Sequence, residues 1–210
     1  MGEIRILWIA LLATLGVRAQ LATELPVSWA SSHYDEALKL VFPDPFVDQA
    51  IAKNWRWAVN ARIMGHDREV QVIIKKPFDS GGSMEAYYPG AGLQTQLREM
   101  KANSPDLTVE AAAKQVEKRH CGPLTGEALV KSQLAEFSKL SINVAGDQAI
   151  TVDSPVYLIS IRGAMNTMNL EVGEPGLMGV SDLTNWLSSI LAILRQKCRD
   201  IPDVLCGWQR

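Results

Sequence analysis

The last third of the chain holds the unit that most limits its fold. Residues 154–172 alternate as a two-stranded hairpin does, and residues 181–198 follow with the period of a helix. Tyr157, Ile159 and Ile161 share one face of the first strand, and Val156, Leu158, Ser160 and Arg162 share the other. A strand with one wholly apolar face and one half-polar face is packed chiefly on one side. Gly163 and Asn166 bracket a turn. Asn166, Met168, Leu170 and Val172 then alternate with Thr167, Asn169 and Glu171 until the Gly-Glu-Pro-Gly run at 173–176. Ser181 or Asp182 can cap the helix by accepting from backbone N–H groups of its first turn. Leu183, Trp186, Leu187, Ile190, Leu191 and Leu194 make a broad apolar stripe, with Arg195, Lys197 and Arg199 at the end where the helix dipole favours cations. An apolar helix face after an apolar strand face needs little else to form a two-layer core.

A second hairpin is expected over residues 54–76. Trp55, Trp57, Val59, Ala61 and Ile63 alternate with Asn54, Arg56, Ala58, Asn60 and Arg62, so a heavy inner face opposes an outer face read as solvated. Residues 65–68, Gly-His-Asp-Arg, make the turn; Val70, Val72 and Ile74 return on the inner face; Lys75, Lys76 and Pro77 end the strand. Leu140, Ile142 and Val144 read as a strand, Gly146-Asp147 as a turn, and residues 149–152 as its continuation. Hairpins at 54–76 and 140–172 with helices packed on them, including the C-terminal amphipathic helix at 182–198, define an α+β domain with an antiparallel sheet.

Other helices are expected from Asp44-Pro45 (Phe46, Val47, Ala50 and Ile51 inward), over Leu93, Leu97 and Met100, and from Ser104-Pro105. The helix from 104 carries Val109, Ala112, Ala113 and Val116 inward and closes on Lys118, Arg119 and His120 before Gly122-Pro123. Residues 33–42 and 126–139 fit either helix or strand.

At 210 residues, 47% hydrophobic and 21% charged, the chain has enough apolar side chains for one core. Its formal charge of −2 offers no basic stripe, which argues against a nucleic-acid partner. The first nineteen residues differ in kind. Arg5 precedes an apolar run over 6–17, and Val17-Arg18-Ala19 places small residues at −3 and −1 before Gln20. That is the pattern of a cleavable export signal. A retained anchor is the alternative, but the run falls short of the roughly 20 residues a span needs. The expectation is therefore a signal peptide at 1–19 and a single domain at 20–210, secreted or periplasmic, with no stable membrane span after cleavage.

Three cysteines follow the leader: Cys121, Cys198 and Cys206. In an oxidising compartment the near pair, Cys198 with Cys206, is the natural bridge, although Cys121 could pair with either.

Over residues 54–197 the order of elements is similar to that of the PsbP-like α/β/α sandwiches. That similarity implies an exported or lumenal protein acting by binding. It rests on element order, without a diagnostic motif.

Motifs for chemistry are sparse. Asp79-Ser80-Gly81-Gly82-Ser83 offers serines but lacks a G-x-S-x-G elbow, and no phosphate loop with a Gly-Lys-Ser/Thr ending occurs. His120-Cys121 at a helix C-terminus would sit at the wrong end of the dipole for a thiolate; a capping His beside a buried or bridged Cys is the plainer reading. His33, His66 and His120 show no metal-ligand spacing, and Met165 and Met168 fall on opposite strand faces, so no metal or other cofactor is expected. The 78–92 stretch, rich in glycine, reads as a loop in which Tyr87 and Tyr88 offer apolar area with polar tips. Arg56, Arg62, Lys75 and Lys76 near the ends of the first hairpin form a modest patch for an anionic ligand, against the default of a solvated strand face. The function expected is an exported, non-enzymatic binding or scaffolding domain for an envelope or extracellular protein or a small ligand. Its site would lie near the 78–92 loop, with Tyr87, Tyr88, Arg56 and Arg62. The alternative is a small secreted hydrolase using Ser80, Ser83 or Cys121, and a thiol-redox role for Cys121 is weakened by the lack of C-x-x-C.

Overall fold

The two hairpins form as their alternation predicts. In a computed structural model that describes residues 31–46, 55–65, 68–79, 81–140, 155–163, 166–172 and 181–204, β1 (Trp55–Gly65) pairs antiparallel with β2 (Arg68–Pro77). The later strands β5 (Val156–Gly163) and β6 (Thr167–Val172) pair likewise. β1 also pairs antiparallel with β5, joining the hairpins into one sheet. Several expectations lie outside the described residues: the leader at 1–19, the helix carrying Val47, Ala50 and Ile51, the turn at 66–67, the strands at 142–152, and Ser80, Met165 and Cys206.

Two further strands correct the sequence reading. The supposed 78–92 loop contains β3 (Ser83–Pro89), and residues 118–125 form β4 (Lys118–Thr125) rather than the end of a helix. Among the described residues the sheet has six strands in the order β4-β3-β2-β1-β5-β6, all antiparallel. β3 is short and flanked by Gly81-Gly82 and Gly90, so its alternation is brief and its punctuation dominates. In β4, Gly122 adopts a φ of 109° and precedes a cis proline, where the pairing with β3 shifts register between Met84 and Ala86. Proline is tolerated there because β4 is an edge strand, where a missing N–H leaves no ladder bond unmade.

Among the described residues five helices flank the sheet: α1 (Ser31–Val41), α2 (Leu93–Asn103), α3 (Val109–Gln115), α4 (Ala128–Phe137) and α5 (Ser181–Lys197). The two ambiguous stretches are thus both helical. α3 starts later than Ser104-Pro105 suggested, because Thr108 caps it: its Oγ1 accepts from the N–H of Ala111 at 3.2 Å.

The helices divide between the two faces, as in the α/β/α layout. On one face α4 and α5 cover Val59, Ala61 and Ile63 of β1, Val70, Val72 and Ile74 of β2, and Tyr157 and Ile159 of β5. The α5 stripe read from sequence is the roof of this core: Leu187, Ile190 and Leu194 are fully buried. On the other face α1, α2 and α3 pack together through Leu38, Phe42, Leu93, Leu97, Ala112 and Val116, with Met64, Tyr87 and Leu158 of the sheet beneath. A register shift between Trp55 and Trp57 sends these two residues to different faces. Trp57 packs on the α4–α5 core, while Trp55 joins Phe46, Ala58 and Ile73 on the other side.

The outer face of the first hairpin is not solvated, contrary to expectation. Asn60 (1% exposed), Glu69 (2%) and Gln71 (3%) are buried, each with a partner. Gln71 Nε2 donates to Asn60 Oδ1 and to the carbonyl of Pro43, both at 2.8 Å. Glu69 accepts from the hydroxyl of Tyr34 at 2.5 Å and from the N–H of Leu93, the first residue of α2, at 2.9 Å. Asp44 accepts from the N–H of Phe46 and from Arg162, both at 2.9 Å. These bonds fasten residues 43–46, α1 and the start of α2 onto a polar sheet face. Buried polar groups are tolerated when paired.

The bridge also differs from expectation. Cys121 of β4 is bonded to Cys198, just after α5, with Cα atoms 6.1 Å apart and 77 residues between them in sequence. Closeness in sequence favoured Cys206. The fold instead turns Cys121 inward, 1% exposed, towards the α5 end that carries Cys198. No described helix is long and apolar enough to cross a membrane.

Candidate functional site

The four candidate binding residues separate in space. Tyr87 and Tyr88, neighbours on β3, point to opposite faces. Tyr88 is 2% exposed within the α4–α5 core and cannot meet a ligand. Burial and a hydrogen bond to Asp200 push its phenol up to about 12, against the opposing pull of Arg119. Tyr87 lies on the polar face, stacked on His120 with ring centroids 4.4 Å apart. Arg62 is on that face too, whereas Arg56 lines a cleft on the α4 side with Trp57.

Around Tyr87 stands a carboxylate-centred group. Glu85, 6% exposed, accepts from Lys75 Nζ at 2.9 Å on one oxygen. Its other oxygen meets His120 Nε2 at 3.0 Å and the Tyr87 hydroxyl at 3.2 Å. Burial pushes the Glu85 carboxyl up, but Lys75 by bond and charge, with His120 and Tyr87, outweighs it and the net shift is downward. The same carboxylate, with burial, pushes the Tyr87 phenol up. All four groups are satisfied by one another, so the cluster joins β2, β3 and β4 rather than presenting an open valence.

The hydrolase candidates fare differently. Cys121 is in a disulfide and in this state has no thiol to offer as a nucleophile. Ser83 begins β3, in register with Lys75 and Thr125 and not with a histidine.

The remaining candidate is a cleft at the open end of the first hairpin. β1 starts and β2 stops there, with Trp57 opposite Lys76 in register. α4 passes beneath. Gly82 permits that approach: its φ is 79°, and a Cβ on it would lie 2.7 Å from both Leu134 Cδ1 and the Lys75 carbonyl. The cleft encloses about 540 Å³. Arg56, Lys76 and Lys131 surround it, its floor is Trp57, Leu134 and Phe137, and among the described residues no acidic one lines it. Neither Arg56 nor Lys131 has an ion-pair partner among the described residues. The floor is braced: Phe137 lies 4.2 Å from Trp57 and 4.8 Å from Trp186 between ring centroids, and Trp186 Nε1 donates to the Gln133 carbonyl at 2.9 Å. The one hydroxyl in the lining, Ser138, donates to the carbonyl of Ala135 at 2.6 Å. This arrangement suits binding: cations for an anionic head and aromatic rings for an apolar body.

A larger hollow, about 640 Å³, lies beside residues 90–92, but there Glu69, Asp200 and Asp203 balance Arg68, Arg195 and Arg199. Arg195 is paired to Asp203 at 3.0 Å and Asp200 to Arg119 at 3.6 Å. Two of its three carboxylates are thus already paired.

Of the cleft residues, the sequence reading singled out Arg56 and Lys76 and missed Lys131 and Phe137. Had 126–139 been read as a helix, Lys131, Leu134, Ala135 and Ser138 would have stood on one face by their spacing. No protein-family model, curated protein or solved structure matches the chain, so the similarity to PsbP-like sandwiches stays one of layout.

Proposed function

We propose that this chain is an exported, non-enzymatic binding domain whose ligand is an organic anion with an aromatic or aliphatic body, held in the cleft between Arg56 and Lys131. The observation that carries the reading is the composition of that cleft: three cations, an aromatic floor and no carboxylate in the lining. A carboxylate or sulfonate head placed between Arg56 and Lys131 gains charge-assisted hydrogen bonds. A body lying on Trp57 and Phe137 gains apolar burial at about 25 cal/mol per Å². Export is supported by the leader pattern at 1–19 and by the Cys121–Cys198 disulfide, a bond that persists in oxidising compartments. The exported chain is expected to begin at Gln20, which N-terminal sequencing checks.

Calorimetric titration with 2-naphthoate, and with the neutral 2-naphthylmethanol as control, tests the ligand class. Naphthoate is expected to bind about tenfold more tightly than the alcohol, and Arg56→Ala or Lys131→Ala to remove most of that margin. Both side chains are exposed, so the variants should keep the wild-type melting temperature. Equal affinity for the two probes, or indifference to both substitutions, would refute the proposal.

A further inference from the structure

Across the sheet from the cleft, a second hollow of about 360 Å³ opens on the polar face over β1, β5 and β6. Register fixes who meets there. Asn60, Ser160 and Asn169 stand in one row across β1, β5 and β6, and Arg62, Leu158 and Glu171 in the next. Much of the surrounding polar face is bonded, as Gln71 with Asn60, Glu69 and Asp44 show, but particular atoms of these rows are not. The hydroxyl of Ser160, a residue 9% exposed, is buried and has no hydrogen-bond partner among the described residues, and neither have the buried Nε–H groups of Arg62 and Arg162.

Asp44, whose charge acts on Arg62, is committed to Arg162 and to the N–H of Phe46. Burial pushes the Arg62 guanidinium below its ordinary value, against the raising influence of Asp44, so the charge is held at a cost in desolvation. A buried N–H and hydroxyl left unanswered lose free energy unless an acceptor reaches them, about 1–3 kcal/mol per group.

At the other end of the row Glu171 is exposed, and no ion pair joins it to Arg62. Two strand spacings, about 10 Å, separate their backbones, with Leu158 between. The hollow therefore has a cationic and hydroxylic end, an apolar middle and an anionic rim.

We propose that this hollow is a second binding site, for a small zwitterion. Its carboxylate is received by Arg62 and Ser160, its ammonium by Glu171, and its carbon skeleton by Leu158. The proposal is independent of the anion cleft, which lies on the opposite face and shares no residue with this hollow. A simple anion would satisfy Arg62 and Ser160 but meet the Glu171 carboxylate; a simple amine would leave the buried donors unanswered. A molecule carrying both charges answers both ends.

The test uses three probes of one chain length, γ-aminobutyrate, butyrate and butylamine, with the Nε–H resonance of Arg62 followed by NMR. γ-Aminobutyrate is expected to shift that resonance and to bind about tenfold more tightly than butyrate, the worth of one added charge-assisted contact. Glu171→Gln, on an exposed side chain, should abolish the tenfold margin, weakening γ-aminobutyrate and, with the like charge gone, tightening butyrate. Ser160→Ala should weaken both carboxylates. Equal binding of γ-aminobutyrate and butyrate, a margin that survives Glu171→Gln, or no shift at Arg62 with any probe would each overturn the proposal. 2-Naphthoate binding at the other face should be untouched by either substitution.

Discussion

Towards α4 and α5 the sheet presents Val59, Ile63, Val72, Ile74 and Ile159, all at most 2% exposed. Towards α1–α3 the same strands present Asn60, Glu69, Gln71, Glu85 and Ser160, and these are buried as well. On the first face cohesion is non-directional: each fully buried aliphatic side chain contributes about 1.5–3 kcal/mol, and a disulfide ties the edge strand to the end of the roof helix. On the second it is directional, because every buried carboxylate or amide has to find its own partner, and each bond nets only about 0.5–1.5 kcal/mol. The difference teaches where function can be placed. On the aliphatic face a site opens only at the margin, as in the cleft between Arg56 and Lys131, whereas a face built from specific bonds leaves particular atoms unanswered within it, as at Arg62 and Ser160.

The largest effect expected on the apolar face comes from its covalent tie. Replacing Cys121 and Cys198 by alanine should lower unfolding free energy by about 4 kcal/mol, since the bond closes a long loop. A bridge between Cys198 and Cys206 would close a short one and contribute nearer 2.5 kcal/mol. Urea unfolding gives the magnitude, and non-reducing peptide mapping should recover Cys121 joined to Cys198. Recovery of Cys198 joined to Cys206 would break the account of that face.

Adjacent tyrosines sharpen the comparison further, because they differ in face and in little else. Tyr88→Ala removes a ring at 2% exposure from the apolar core and should cost about 3–4 kcal/mol. Tyr87→Ala forfeits a stack on His120 and a bond to Glu85, and should cost about 1–1.5 kcal/mol. Similar losses in urea melts would mean that the two faces are not held differently. Between these sizes falls Gly82→Ala, at about 2 kcal/mol, from a positive φ and a close approach to Leu134 and the Lys75 carbonyl.

The two faces also differed in how much of them the sequence revealed. Alternation in β1, β2 and β5 and the stripe of α5 identified the apolar core, since burial of aliphatic residues leaves a period in the sequence. The polar face kept the same period, but alternation says only that Asn60, Arg62 and Gln71 share a side. Whether that side meets water depends on what covers it, and the cover here is residues 43–46 and α1–α3, joined through single bonds such as Gln71 to Pro43. β3 and β4 were hidden for a local reason: glycine and proline, which ordinarily end elements, here flank one strand and interrupt the other at a register shift. Because Lys118, Arg119 and His120 mimic a helix terminus, Cys121 was placed at the wrong kind of element and its partner was missed. The anion cleft was half legible, through Arg56 and Lys76, and the zwitterion hollow only through Arg62. Unanswered atoms are a property of packing and leave no period.

The smallest effect expected is the one that titrates. Glu85 holds Lys75, His120 and Tyr87 on the polar face, and its folded carboxyl lies below the ordinary carboxylate value. A group depressed in the folded state contributes stability that is present above its unfolded pKa, near 4.3, and is lost as pH falls through the folded value. Glu85→Gln should therefore cost about 1 kcal/mol at neutral pH, and the gap from wild type should close between about pH 5 and pH 3. The Tyr88→Ala deficit, arising from lost apolar contact, should show no such closure over the same range. Urea melts of both variants across that window make the distinction: a Glu85→Gln gap that stays constant with pH would show that the carboxylate's charge does not hold the polar face together.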